Sequence, residues 1–173
     1  MLSNYERLSR FYDKDWGTWC LQYSTLLDKL LLNSCSSNAH VLDIACGTGV
    51  LASMLVSKGY CVHGIDLSPN MIALANNKSI KNAVFSVADM CSFSMNRSFE
   101  AALCTFDAAN YLIGKERMEG FLRSSADVLE KEGLLIFDIN TDKLYSLYYY
   151  GAIQRELRVS AFYRFDRSIV RLE

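Results

Sequence analysis

Three carboxylates each fall in a short apolar run: Asp43 in "VLDI", Asp66 in "VHGID" and Asp89 in "VFSVAD". The first is followed at once by a turn, Ala45–Cys46–Gly47–Thr48–Gly49, that carries two glycines. Acids in a row can accept hydrogen bonds from hydroxyls and amines, and they attract cations. Glycines let a ligand approach the main chain, because no Cβ stands in the way. A glycine turn after a strand is also the usual receptor for phosphate. Here no Arg or Lys adjoins the turn to offset Asp43.

Elements that could position these acids follow from the hydrophobic pattern. Trp16, Trp19, Tyr23, Leu26, Leu27, Leu30 and Leu31 recur at helical spacing, which predicts a core-facing helix. A strand over His40–Ala45 precedes the glycine turn. Leu51, Met54 and Leu55 share one face of a helix that stops at Gly59. The same order then recurs. "CVHGID" reads as a strand, and Ser68 and Pro69 as the N-cap and first turn of a helix. "AVFSVAD" and "EAALCTF" read as strands three and four, Lys115–Glu132 as a helix with Met118, Phe121, Leu122 and Leu129 inward, and "GLLIFDIN" as strand five. Strands alternating with helices predict an α/β fold, a doubly wound and mostly parallel sheet with order 3-2-1-4-5. In such a sheet ligands sit outside the carboxyl ends of the strands, where Asp43–Gly49, Asp66, Asp89, Thr105–Tyr111 and Asp138–Asn140 all fall.

Composition narrows the ligand. The 173 residues, 51% hydrophobic, suit one domain with a sizeable core. With 18 basic and 19 acidic residues, a net charge of -1 gives no footprint for nucleic acid or an anionic membrane. No apolar stretch reaches the roughly 20 residues needed to span a bilayer, and the start lacks the layout of a secretory signal. The six cysteines form no C-x-x-C pair and read as free thiols in a reducing cytoplasm, with no metal site expected. The sequons at Asn77 and Asn96 are read as chance.

"GTGVLA" matches the dinucleotide fingerprint, and Asp66 stands close to the expected ribose-binding distance of about 20 residues. The acids oppose that reading. A phosphate charge about 5 Å from Asp43 is repelled by roughly 3 kcal/mol at an effective dielectric near 20. The pattern suits a ligand that is cationic at one end, rich in hydroxyls and amines at the other, and free of phosphate.

At these residues the sequence resembles the class I S-adenosylmethionine-dependent methyltransferases, of the type acting on small molecules. "VLDIACGTG" is similar to the family's first motif, D-x-G-x-G-x-G, with Ala45 in place of the first glycine; alanine there is expected to hold a negative φ. "GIDLSPNMIALA" resembles the second motif, "VADM" the third, and "LCTFDAANYL" and "LEKEGLLIFDIN" the segments around strands four and five. The resemblance implies that Asp43, Ala45, Cys46, Gly47, Gly49, Leu67, Thr105 and Phe106 bind S-adenosyl-L-methionine. It implies further that Asp66 binds the ribose hydroxyls, Met71 lines the adenine pocket, Asp89 accepts from the adenine amine and Met90 packs on the ring. Tyr12, in "RFYD", is similar to a family tyrosine that covers the cofactor. The product would be S-adenosyl-L-homocysteine.

On the acceptor side Asp107 is the leading candidate for a base or substrate anchor, with Tyr111 beside it. Asp107 could instead cap a helix starting at Ala108. The run "TFDAAN" lacks the Asn/Asp-Pro-Pro-aromatic signature of nucleic-acid methyltransferases, and no glutamate pair occupies it, so a small molecule is the expected acceptor. Two rivals stand beside this reading: a catalytically silent S-adenosylmethionine-binding subunit, and a dinucleotide oxidoreductase.

The expected organisation is one domain over 1–173, with an N-terminal helical cap (1–37), a cofactor-binding core (38–140) and an extension (141–173). Seven of the 21 Phe, Trp and Tyr residues lie in the extension, which reads as a helix and a hairpin turning near Asp166–Arg167. It could wall a substrate or form a homodimer contact, and it is expected to fall short of the family's two closing strands.

Overall fold

The computed structural model describes residues 24–140 in full and the backbone of 161–164. Tyr12 and most of the aromatic extension, with its expected turn, lie outside the described residues. Helix α1 spans Ser24–Ser34, and strand β1 His40–Ile44. They are followed by α2 (Val50–Ser57), β2 (Cys61–Asp66), α3 (Pro69–Asn77), β3 (Ala83–Val87) and β4 (Phe99–Cys104). A 3-10 turn at Ala108–Tyr111, helix α4 (Lys115–Val128), β5 (Leu129–Phe137) and β6 (Ala161–Arg164) complete the order.

The sheet runs β3-β2-β1-β4-β5-β6, and the first five strands pair in parallel in the expected order. Apolar residues fill both faces because successive side chains alternate across a strand. Val41, Ala101, Leu103, Leu134 and Ile136 pack on one side with Leu27, Leu31, Leu51 and Leu55 from α1 and α2. Leu42, Ile44, Ala102, Cys104, Leu135 and Phe137 pack on the other with Phe121 and Val128 from α4. Asp43 follows the parity of Val41, so its carboxylate enters the α2 side of the sheet.

Two expectations are corrected. The helix predicted to Glu132 ends at Val128, and Leu129 opens β5, where it pairs with Phe99. Leu129 is therefore buried through the sheet, while Ser124 and Ser125 join Phe121 and Val128 on the buried face of α4. Ala161–Arg164, in the stretch read as a hairpin, pairs antiparallel with β5 from Leu134 to Phe137. The outer edge of β5 gains main-chain partners that way.

Candidate active site

The glycine turn is built by steric subtraction. Cys46 N–H donates to Ile65 O at 2.9 Å, and Gly49 N–H to Cys46 O at 3.0 Å, fixing the turn over the end of β2. Gly49 has φ 77°, and a Cβ there would stand 2.9 Å from Cζ of Phe85. Gly64, in the middle of β2, is tighter still. Its missing Cβ would lie 2.5 Å from Phe85 and 2.8 Å from Cys46 Sγ. Phe85, from β3, is thus wedged between the two glycines and supports the turn from below. Neither Phe85 nor Gly64 was singled out from the sequence, although a glycine inside an apolar strand signals such a close approach.

Ala45 departs from expectation: its φ is 59°, in the left-handed region. The turn needs that conformation to bring Cys46 back over β2, so alanine keeps the geometry the family's glycine would have and bears the strain. The Cys46 side chain lies in the core. It is buried among Phe85, Ala75 and Val62, and burial raises its thiol pKa first, with Asp43 adding to it. Its Sγ–H also reaches Gly47 O of the turn at 3.7 Å.

The three acids occupy three strand ends with distinct environments. Asp66 binds the turn directly: Gly47 N–H donates to Oδ2 at 2.9 Å and Ser68 N–H to Oδ1 at 2.8 Å. Burial pushes its pKa up, and those two N–H groups oppose the shift. Asp89 accepts from Cys91 N–H at 2.9 Å and meets Arg117 at 3.4 Å. Asp43 is 2% exposed, and its Oδ2 has no hydrogen-bond partner among the described residues. Burial, and then the charge of Asp66, push its pKa up to about 8. An orphaned buried carboxyl of this kind is an unmet demand for a donor, preferably a charged one.

The remaining predicted residues distribute around this edge. Leu67 is exposed and Met71 buried, its N–H donating to Ser68 Oγ at 3.4 Å. Met90 is half-buried against the core of the α4 side. Thr105 is buried just past β4. Phe106 and Asp107 follow with φ 65° and 64°. Asp107 does precede a 3-10 turn, but its side chain makes no capping bond, so the capping role is not realised. Its N–H donates to Asp138 Oδ2 at 3.0 Å. Asn110 and Asn140 exchange two bonds: Asn140 N–H to Asn110 Oδ1 at 3.0 Å and Asn110 Nδ2–H to Asn140 O at 3.4 Å. Tyr111 is more than half exposed on the same side. The structure therefore brings the cofactor candidates and the acceptor candidates to one edge of the sheet, with Tyr12 outside the described residues.

A doubly wound sheet with a glycine turn and acids at successive strand ends defines a Rossmann-like nucleoside-binding domain. A methyltransferase-domain family matches residues 41–133, and the chain belongs to it. A Geobacillus sp. (strain WCH70) protein whose name gives methyl transfer but no acceptor is 30% identical over 145 residues, 79% of this chain and 58% of the relative. The Streptomyces fradiae dTDP-3-amino-3,6-dideoxy-alpha-D-glucopyranose N,N-dimethyltransferase is 32% identical over 100 residues, 58% of this chain and 39% of that enzyme. Among solved structures, an S-adenosylmethionine-bound amino pentose methyltransferase from Micromonospora echinaspora aligns with a TM-score of 0.64 at 25% identity, over 71% of this chain and 51% of that one. The chain spans about half the length of these proteins.

S-adenosylmethionine is the cofactor of this fold family, and the residues fit it. The orphaned Oδ2 of Asp43 asks for a donor, preferably a cationic one, beside a turn with no adjoining Arg or Lys to receive a diphosphate. Neither rival reading gains from the relatives, all of which are named for methyl transfer.

Proposed function

We propose that this domain binds S-adenosylmethionine and carries out methyl transfer to a small molecule, an amino sugar being the acceptor class supported by the relatives. The observation that carries the reading is the buried Asp43 carboxyl at the head of the glycine turn, whose Oδ2 has no partner among the described residues. When bound, the cofactor supplies an activated methyl on a sulfonium, so the protein's share of the chemistry is orientation and exclusion of water. Asp43, kept neutral by burial in the free domain, ionises opposite the ligand's positive charge. Asp66 accepts from ribose hydroxyls with the lone pairs its two backbone donors leave free. Asp89 accepts from the adenine amine, and Met71 and Met90 border the ring. Thr105 and Phe106 bound the site beyond β4.

An amine acceptor is protonated at neutral pH and must lose a proton before it attacks. In this reading Asp107, whose N–H donates to Asp138, takes that proton, and exposed Tyr111 contributes to the acceptor wall. The reading extends to a reducing cytoplasm, supported by the five free thiols of the described residues. It extends also to a homodimer formed through the aromatic extension, supported by the aromatic content of 141–173; a monomeric mass in light scattering refutes the dimer.

Calorimetry tests the core of the reading. S-adenosylhomocysteine is expected to bind and NAD to give no heat. The reverse pattern refutes the assignment, and binding without transfer to any amino sugar favours the silent subunit.

A further inference from the structure

Helix α4 carries a glycine, Gly120, in its interior, where glycine is unfavourable. The structure shows what that position is for. A Cβ on Gly120 would stand 2.7 Å from the main-chain O of Cys91 and 3.3 Å from its Cβ. The helix therefore rests directly on the backbone of the loop after β3. One turn earlier, Arg117 reaches the same loop and places its guanidinium 3.4 Å from Asp89 Oδ1. Cys91 N–H donates to that same oxygen at 2.9 Å, and Ser92 N–H donates to Asp89 O at 3.0 Å. All of these side-chain contacts fall on Oδ1, so Oδ2 is the oxygen left to accept from a ligand.

We propose that α4 is the buttress of the adenine-recognition loop, with Gly120 as its contact point and Arg117 as the positioning residue that aims Asp89 at the exocyclic amine. The inference rests on the cofactor reading above and adds to it a source of base specificity outside the strand-end motifs. Holding one carboxylate oxygen with a cation and a backbone N–H restricts rotation of the side chain. A fixed Oδ2 rewards a base that donates there and penalises one that presents a carbonyl. A site with a committed polar group discriminates more strongly than a mobile one, because the wrong ligand leaves that group unpaired.

The test compares S-adenosylhomocysteine with its inosine analogue, in which a carbonyl replaces the amine, by calorimetry on the full chain. The unsubstituted protein is expected to prefer the adenine ligand strongly. Arg117→Ala is expected to weaken S-adenosylhomocysteine about tenfold while leaving the inosine analogue within about twofold, so that selectivity collapses. Arg117→Lys keeps a cation near Oδ1 and is expected to recover most of the selectivity. Gly120→Ala displaces the loop and is expected to mimic Arg117→Ala; should it fail to fold, the half-exposed Arg117 variants decide alone. Equal weakening of both ligands, or no change in either, overturns the proposal while leaving the cofactor reading intact. Failure of the unsubstituted protein to bind S-adenosylhomocysteine defeats that reading itself, and the buttress with it.

Discussion

The loops after β1 and after β4 both leave a parallel strand through left-handed backbone, yet only the first adds close packing against missing side chains to its polar ties. In the first, Gly47 and Gly49 carry the positive φ angles together with Ala45. Asp66 ties the loop through Gly47 N–H, and the rest of the pinning comes from what is missing: Phe85 occupies the space that side chains on Gly49 and Gly64 would fill. In the second, the left-handed residues are Phe106 and Asp107, neither of which relieves the strain by lacking a Cβ. Polar ties to the segment after β5 hold it instead, through Asp138 and the reciprocal Asn110–Asn140 pair. Steric subtraction suits a loop that must always receive the same nucleoside. Side-chain ties can be exchanged without rebuilding the sheet, which suits the half of the site that meets the acceptor.

The largest expected effect comes from filling the space under the cofactor loop. Gly64→Val puts a Cβ 2.5 Å from Phe85 and 2.8 Å from Cys46 Sγ, inside a strand paired on both sides. Overpacking of this kind is expected to destabilise by about 3 kcal/mol, a loss of roughly 10 °C in melting temperature for a domain of this size. Pairing Gly64→Ala with Phe85→Leu is expected to recover stability relative to Gly64→Ala alone. Additive losses in that cycle, measured by thermal melts, would show that Phe85 is not what the glycine accommodates.

Next comes Asp43, whose pKa is pushed up to about 8 by burial and by Asp66. In the free protein, the folded state holds a proton between about pH 4 and pH 8 that the unfolded state has released. Stability is therefore greatest at low pH in this window and falls as pH rises toward 8. The ligand's ammonium is best met by the ionised form, so S-adenosylhomocysteine affinity is expected to increase from pH 6 to 8 by up to about tenfold per unit and then level off. Asp43→Asn is expected to flatten both profiles and to weaken binding about thirtyfold at pH 8, the value of a charged hydrogen bond of about 2 kcal/mol. An unchanged pH profile in that variant would remove Asp43 from the cation's site.

These effects track how much of each half could be read in advance. The order of β1 to β5, the turn and the acids Asp43, Asp66 and Asp89 were legible because apolar runs, glycines and strand-end carboxylates repeat at regular spacing. Phe85 was not, since its role depends on the parallel register that sets it opposite Gly64. The Asn110–Asn140 pair joins residues 30 apart through main-chain atoms of Asn140, which leave no mark in the sequence. The end of α4 was misplaced because Leu129, Glu130, Lys131 and Glu132 continue a helical pattern while the chain pairs with Phe99. There the demand of the sheet for a partner overrode local propensity.

The smallest effect separates strain from function in the cofactor loop. Ala45 stands where the family pattern has glycine, and its φ of 59° costs an alanine about 1–2 kcal/mol. Ala45→Gly removes that strain but raises the entropy of the unfolded chain, an opposing effect of about 0.5–1 kcal/mol. The balance is a gain of about 0.5–1 kcal/mol, or about 2 °C in melting temperature. Cys46 N–H and Gly49 N–H keep their acceptors, so S-adenosylhomocysteine affinity is expected to stay within about twofold. A melting temperature that falls would show that the loop does not hold Ala45 left-handed in solution. A gain in stability with lost affinity would mean instead that the strain itself preorganises the turn, and the first loop would then resemble the second more closely than its glycines suggest.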